Sequence, residues 1–469
     1  MDLFTKNYWG VYLDFLDDFS DLVYKGYPIA YLCHYRSLIR ENEGLMGKLE
    51  TAAFTKALKN KRVELTSIQT RFNAFKSEHQ KTWRRGKGGK IVFHDVHDLL
   101  RVPEETFLRY FDKKKTLIIE EKGMKEREES FSRVKGFDYQ YFSEYSEDAS
   151  EAIKLMKKKA KQILHSFPGH PMYSDETFKE RFLIQVMKIV NRINESILLL
   201  KKVNISAIVV ASTHYPESRT LVMVAAKNGI PTVCLQHGII SGEIGYLPKV
   251  ADIDAVYGQF EMDWYKERGA KEKGAEIIGH PRFDLISKPP TISREELENQ
   301  LGLDASKKNV LLIVRGHANY TSWDQFLKKI TVKQNLNIVL KDFPNHKVHP
   351  LTKSQKNLFR SPGRKLHDLI HMSDVVVTYF STVALEAMIA GKVVFILDQP
   401  FGGYSGYFSK MGDLVQEDPG KLASIFSDYF LDNKVKVYAE QMVKSFLSTA
   451  YHTHKNSGER LSTLLKQLL

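Results

Sequence analysis

Residues 373–395, SDVVVTYFSTVALEAMIAGKVVF, decide how the chain is read. Val375, Val376 and Val377 follow Asp374 as a short apolar run between polar residues, the pattern of a strand buried on both faces. Ser381 and Thr382 then supply a helix cap, and Ala384, Leu385, Ala387, Met388 and Ala390 fill the helix. Gly391 stops it, and Val393–Leu397 form the next strand. Hydroxyls where a strand ends and a helix begins make a ready anion site, because free backbone N–H groups and the helix dipole face one point. Glu386, one turn further, is placed to accept hydrogen bonds from sugar hydroxyls. An ordinary βαβ unit, in which Ser381 and Thr382 only cap, would look the same in isolation.

The same alternation extends outward. Upstream, Ile205–Ala211, Pro231–Leu235, Ile253–Tyr257 and Ala275–Ile278 read as strands, with a helix over 216–228 stopped by Gly229. Downstream of SKPPT (287–291), whose consecutive prolines mark a linker, Asn309–Val314 and Asn337–Lys341 open a second set. This spacing predicts an α/β protein of parallel, doubly wound sheets: two Rossmann-like domains facing a cleft. The expected division is residues 1–286, an acceptor-side domain with helical insertions, and 287–445, a donor-side domain. Residues 446–469 are expected as a helix crossing back to the first domain.

The first 200 residues are less regular. Residues 1–26 mix aromatics with acids and predict an amphipathic helix packed on its own domain, since anionic lipid would require a basic polar face. Tyr27–Leu32 reads as a strand, 36–85 as mostly helical, Ile91–Phe93 and Thr116–Glu120 as strands, and 121–166 as charged and helical. A long helix is expected to end near Lys202, and further helices from Pro419 to Leu469.

At 469 residues the chain is too long for one core. Its two cysteines, Cys33 and Cys234, lie in or beside apolar runs and suggest a reducing compartment without disulfides. Asp2, Asp14, Asp17 and Asp18 interrupt the N-terminus, so no signal peptide is expected. With no apolar run long enough to span a bilayer, the expected location is cytoplasmic. The net charge of +13 favours anionic partners: nucleotide phosphates, nucleic acid or an acidic membrane surface. The lysines are dispersed and no nucleic-acid module is present, which argues against nucleic acid. WRRGKGGK (83–90) reads as a solvated basic turn; it lacks the preceding strand and the Gly-Lys-Ser/Thr ending of a P-loop.

Four strand ends carry polar residues that packing does not require. They are Gln236-His237-Gly238, Gly279 to Asp284 (GHPRFD), Arg315-Gly316-His317 and Thr378 to Thr382. Glycine there lets backbone approach a ligand, histidine exchanges protons near neutral pH, and arginine pairs with phosphate oxygens. Because all four fall on the predicted cleft, His280, Arg282, Arg315, Gly316, His317, Ser381, Thr382 and Glu386 are taken as donor-side candidates.

The runs STHYPESRTLVMVAAKNGIPTVCLQHGII (212–240), AVYGQFEMDWYKERGA (255–270), IIGHPRFD (277–284) and 373–394 resemble GT-B glycosyltransferase-like proteins of bacterial surface polysaccharide synthesis. They look most like CDP-glycerol glycerophosphotransferases and capsule-type sugar transferases; the non-hydrolysing UDP-N-acetylglucosamine 2-epimerases share that architecture. The resemblance covers residues 205–400. It implies transfer of a sugar from a nucleotide-activated donor to a hydroxyl of a glycan or lipid-linked acceptor, by an inverting route needing neither metal nor cofactor. It also implies a cytoplasmic protein able to touch the anionic inner face of the membrane. By the resemblance His237 is the catalytic base, Ser381 and Thr382 bind donor phosphates, and Glu386 holds the ribose. Asp95, in the loop after Phe93, is the second candidate for the base. Arg315 or Arg282 would neutralise the leaving group.

One position departs from the teichoic acid enzymes. Their Lys-Pro-His-Pro type motif is replaced by Lys341, Asp342, Phe343 and Pro344, with His346 and His349 the nearest histidines. That shifts the reading from glycerophosphotransfer toward a glycosyl donor; a glycerophosphotransferase or an epimerase on the same scaffold is the alternative. The Asp-Ile-Asp at 252–254 imitates a metal motif, but it opens a strand in an architecture that holds diphosphates with helix dipoles and basic side chains.

Overall fold

A computed structural model describes residues 1–84, 88–121, 133–315, 319–331, 336–341, 348–355, 358–399, 401, 403–451 and 456–469. Seven parallel strands form the first sheet: β1 Lys90–Asp95, β2 Thr116–Glu120, β3 Asp138–Tyr141, β4 Ile205–Val210, β5 Thr232–Leu235, β6 Ile253–Val256 and β7 Ala275–Ile277. Their order across the sheet is 3-2-1-4-5-6-7. Six parallel strands form the second: β8 Lys308–Ile313, β9 Leu336–Lys341, β10 Leu358–Arg360, β11 Val375–Tyr379, β12 Val393–Leu397 and β13 Val415–Gln416, in the order 10-9-8-11-12-13. Both sheets therefore repeat one winding, and in both the order reverses beside the first strand. Ligands of such sheets lie outside the carboxyl ends of the strands at that reversal. The two doubly wound parallel sheets expected from the sequence are present.

The central strands are apolar on both faces because helices cover both. Val375, Val376, Val377 and Val393–Leu397 are buried in one core with Leu385, Met388 and Phe426. The first sheet separates two cores. One packs against the helix Leu3–Asp18, whose Tyr8, Trp9, Tyr12, Phe15 and Leu16 are buried, so that helix belongs to its own domain. The other packs against the last helix, Ser457–Leu468, through Leu461, Leu464 and Leu465. Asp284, the final residue of GHPRFD, caps that helix by accepting from the backbone N–H groups of Ser457 (2.8 Å) and Gly458 (2.9 Å). The chain returns to the first domain after the helix Asn433–Ala450, which runs unbroken through residue 446.

Tyr27–Leu32 is not a single strand. Tyr27–Pro28 pairs with Val23–Tyr24 in a hairpin, and Ile29–Leu32 is a helical turn. Full burial of Ile29, Ala30 and Leu32 accounts for the apolar run without a sheet. Within 121–166, the strand β3 stands where helix was expected; residues 122–132 lie outside the described residues. Cys33 and Cys234 are free and buried.

The domains are joined along one side of the cleft by backbone. Gly242 and Tyr404 form an antiparallel bridge, Glu243 N–H donates to the Gly403 carbonyl (3.1 Å), and Ser405 N–H donates to Ser241 (3.0 Å). Asp2 accepts from Gly403 N–H (2.9 Å), and Trp9 Nε1 donates to Glu243 (2.8 Å), tying the N-terminal helix to the same seam.

Candidate active site

The loop after β5 and the helix after β11 meet across the cleft. Ser381 caps the helix Thr382–Ile389 by accepting from Val383 N–H at 3.2 Å. Thr382 Oγ1 accepts from the backbone N–H of Ile239, in the other domain, at 3.2 Å. Gly238 makes this approach possible: a Cβ there would stand 3.3 Å from Thr382 Oγ1 and 3.2 Å from the Tyr246 hydroxyl. The Gln-His-Gly segment thus faces the Ser-Thr helix start.

His237 sits at the centre of that loop. Its Nδ1 lies 3.0 Å from the Ala211 carbonyl, which only accepts, so Nδ1 carries the proton and Nε2 keeps a free lone pair. Its ring stacks on Tyr246 with centroids 5.6 Å apart. Burial pushes its pKa down to about 4; the Ala211 carbonyl opposes this, and Arg282 and Arg101 add to it. The ring is therefore neutral near pH 7, the form a general base requires. The flanking residues hold it in place. Gln236 Nε2 donates to the Gly238 carbonyl (2.7 Å) and to Glu261 (3.1 Å). Glu261, fully buried, has its pKa pushed up to about 8 by that burial. Arg219, 2% exposed, donates to the carbonyls of Thr213 (2.7 Å) and Cys33 (2.8 Å), fixing the loop that carries Ala211.

Arg282 enters from the GHPRFD turn. Its guanidinium lies 3.3 Å from Glu386, across the domain boundary, with side-chain exposures of 11% and 20%. Arg282 also packs over the Phe283 ring at 4.6 Å and donates to the Tyr257 hydroxyl at 3.5 Å, while its Nε is buried with no partner among the described residues. Burial raises the Glu386 pKa against the pull of Arg282 and Arg101. His280 is wholly buried; its Nδ1 accepts from Arg282 N–H (3.1 Å), so it shapes the turn that presents Arg282.

Asp95 closes β1. It accepts from Leu100 N–H at 3.1 Å, and burial raises its pKa against that hydrogen bond. In the loop it ties, His97, Asp98 and Arg101 adopt left-handed backbone (φ 55°, 53° and 45°). Such strain in non-glycine residues clusters at functional sites. The loop brings Arg101 into the electrostatic field of Arg282, Glu386 and Tyr257, and burial lowers its pKa. Sequence reasoning missed Arg101; its signal was a basic residue in the first strand-end loop of a doubly wound sheet.

Beside this group a cavity of about 490 Å³ opens at the reversal point of the second sheet. Arg315, Tyr379, Phe380, Gln399 and Phe401 line it from one domain and Arg36 from the other. Arg36 also escaped the sequence reading, because it is a surface residue of the short helix Tyr35–Ile39. Gly316, His317 and His346 lie outside the described residues, as do Asp342, Phe343, Pro344 and residues 85–87 of the basic turn. His349 is buried, and its Nδ1 accepts from Leu351 N–H at 3.2 Å, a turn-forming role.

Asp252 and Asp254 pair with Lys76 and Lys249, both at 2.7 Å, at the amino ends of the strands and away from the cleft. Among the described residues no group of three or more His, Cys, Asp or Glu could hold a metal ion, and no helix is long and apolar enough to cross a membrane.

No family model matches the sequence, and no curated protein does. Among solved structures the chain is similar to the wall teichoic acid polymerase TagF at 12% identity over 92% of this chain and 97% of that one (TM-score 0.46). It is similar to Anabaena HepE in complex with UDP and glucose at 11% identity over 81% and 99% (TM-score 0.47). It is also similar to a UDP-N-acetylglucosamine 2-epimerase at 11% identity over 82% and 95% (TM-score 0.49). These likenesses are distant, and the fold rests on the two sheets themselves.

Proposed function

We propose that the protein is a glycosyltransferase that moves a sugar from a nucleotide-activated donor to an acceptor hydroxyl, with inversion and without a metal. The observation that carries this reading is the contact between the Gln236-His237-Gly238 loop, from one sheet, and the start of the helix Thr382–Ile389, from the other, made where Ile239 N–H donates to Thr382 Oγ1, with Arg282 and Arg101 in the electrostatic field of His237. The donor diphosphate lies at that helix start, where backbone N–H groups and the dipole favour negative charge. Arg282 turns from Glu386 to the phosphate, and Glu386 is released to the donor's ribose. The nucleobase extends into the cavity lined by Arg315, Tyr379 and Phe380, and the sugar faces His237.

In the reaction, His237 Nε2 takes the proton of the acceptor hydroxyl. The oxygen attacks the anomeric carbon as the bond from that carbon to the phosphate oxygen breaks. The nucleoside diphosphate leaves with the electron pair, and its growing charge meets Arg282, Arg101 and the helix N-terminus. A base with a pKa near 4 is weak; the donor's own charge offsets the two arginines and raises it, while the burial that lowers it most remains.

The test is a thermal-shift screen with CMP, CDP, UDP, GDP and dTDP. A ligand that binds only the folded state stabilises it with the logarithm of its saturation, so one nucleotide class should stand out. No shift with any of them would contradict the proposal. Incubation of the matching nucleotide-sugar without acceptor separates transfer from epimerisation, which needs none.

A further inference from the structure

At the end of the first sheet opposite the cleft, a cavity of about 220 Å³ lies between the helix Ser67–His79 and the entries to β6 and β7. Ile253, the first residue of β6, and Gly274, just before β7, line it, so it lies at the amino ends of the strands and is separate from the site at the carboxyl ends. Lys76, Lys249, Lys271 and Lys273 line it, with Asp252 as the only carboxylate of that lining.

The two inner lysines are deeply placed, with side chains 11% and 5% exposed, and are balanced by Asp252 and Asp254. Asp252 is further held by Thr232 N–H and Oγ1 and by Gln80. Burial lowers the Lys76 pKa; Asp252 opposes this and neighbouring Lys249 adds to it. Lys271 and Lys273 are exposed at the mouth, where Lys271 reaches Ser77 Oγ at 3.3 Å. With Lys76 and Lys249 paired to Asp252 and Asp254, the positive charge offered to a ligand is that of Lys271 and Lys273 at the mouth. Trp83 stands at its rim, 38% exposed, whereas Trp9, Trp264 and Trp323 are buried.

We propose that this cavity is a second anion site that takes a diphosphate head group beside Trp83. Its volume lies below the roughly 300–1,000 Å³ of sites that enclose a drug-sized ligand, so only a compact head group enters. Lysine ammonium groups bind such a group as point charges. The diphosphate can be free or the end of a nucleotide, and both present the same chemistry to the lysines.

Trp83 supplies the readout. Inorganic diphosphate and UDP are titrated separately into the full chain while tryptophan emission is followed in the wild type, K271A/K273A and W83F. The expected result is an emission change with inorganic diphosphate that W83F abolishes and that K271A/K273A weakens by at least about tenfold in affinity. A lysine-dependent response to UDP as well identifies the nucleotide as a source; a response to inorganic diphosphate alone identifies the free anion. Any signal that persists in W83F comes from the other three tryptophans, of which Trp323 lines the cleft cavity, and does not count for this site. No Trp83 response at millimolar diphosphate, or equal affinity in K271A/K273A, would overturn the proposal without touching the assignment of the cleft.

Discussion

Replacing His237 by Gln should remove a pH-dependent part of the protein's stability. The folded imidazole has its pKa pushed down to about 4, by burial first and then by Arg282 and Arg101 against the Ala211 carbonyl. An unfolded histidine titrates near about 6.5. Between those values the unfolded chain takes up a proton that the folded ring refuses. The stability is therefore fully present above about pH 6.5 and is lost as pH falls toward about 4. At about 1.4 kcal/mol per pKa unit the window is worth roughly 3 kcal/mol; the ring's partial exposure reduces this to about 2 kcal/mol between about pH 7.5 and 4.5. Glutamine keeps a donor for the Ala211 carbonyl and never takes the proton. Urea unfolding of wild type and variant across that range isolates the term, because the histidines outside the field of His237 cancel in the difference and only His214 and His280 feel the change. The variant should lose about 2 kcal/mol less than the wild type on acidification. Parallel loss in the two proteins would refute the buried, neutral ring. Saturating nucleoside diphosphate should shrink the difference, since an anion facing Arg282 and Arg101 lifts the ring's pKa; an unchanged difference would place the anion elsewhere.

Glu386→Ala should raise the donor KM about tenfold with a smaller change in kcat, the loss of one hydrogen-bonded contact; steady-state kinetics showing an unchanged KM would remove Glu386 from the donor. Glu261 has a folded pKa pushed up to about 8 against a usual 4.5, so the stability it contributes is present below about pH 4.5 and lost as pH rises through about 8. Denaturation of Glu261→Gln across that window should show a flatter profile than the wild type, and identical slopes would count against the buried acid. Gly238→Val places carbon where a Cβ already stands 3.2 Å from the Tyr246 hydroxyl and 3.3 Å from Thr382 Oγ1. It should cost about 1–3 kcal/mol and weaken nucleotide binding; wild-type melting and affinity would deny the close passage of the two domains.

The βαβ cores were legible because their strands are buried on both faces and so read as unbroken apolar runs. Val375–Val377 and Val393–Leu397 gave the second sheet, and Ile205–Val210 gave the first. Of the four edge strands, Ala275–Ile277 was legible and three were not. Asp138–Tyr141, Leu358–Arg360 and Val415–Gln416 are short and half-exposed, and polar residues occupy places that central strands fill with valine. Tyr27–Leu32 misled for the converse reason: a helical turn sunk in a core carries the same apolar signal as a strand. In the cleft, the sequence singled out the strand ends but not what each residue does there. Gln236 is scaffold rather than ligand, His280 shapes a turn, and Asp95 ties down the loop that carries Arg101. Glu386 pairs with an arginine more than one hundred residues away, a contact that no local spacing reveals. Arg36 reaches the cleft cavity, and Arg101 the neighbourhood of Arg282 and Glu386, only through the fold of the first domain.

Two facing sheets that hold an activated phosphate compound at one helix start are the centre of the account. The most direct measurement is a structure of the protein with the nucleoside diphosphate that stabilises it most. The diphosphate should lie at the backbone N–H groups that open the helix Thr382–Ile389, with Arg282 turned from Glu386 to its oxygens and His237 Nε2 facing the vacant acceptor side. A nucleotide bound away from Thr382, with the Arg282–Glu386 pair intact, would contradict it.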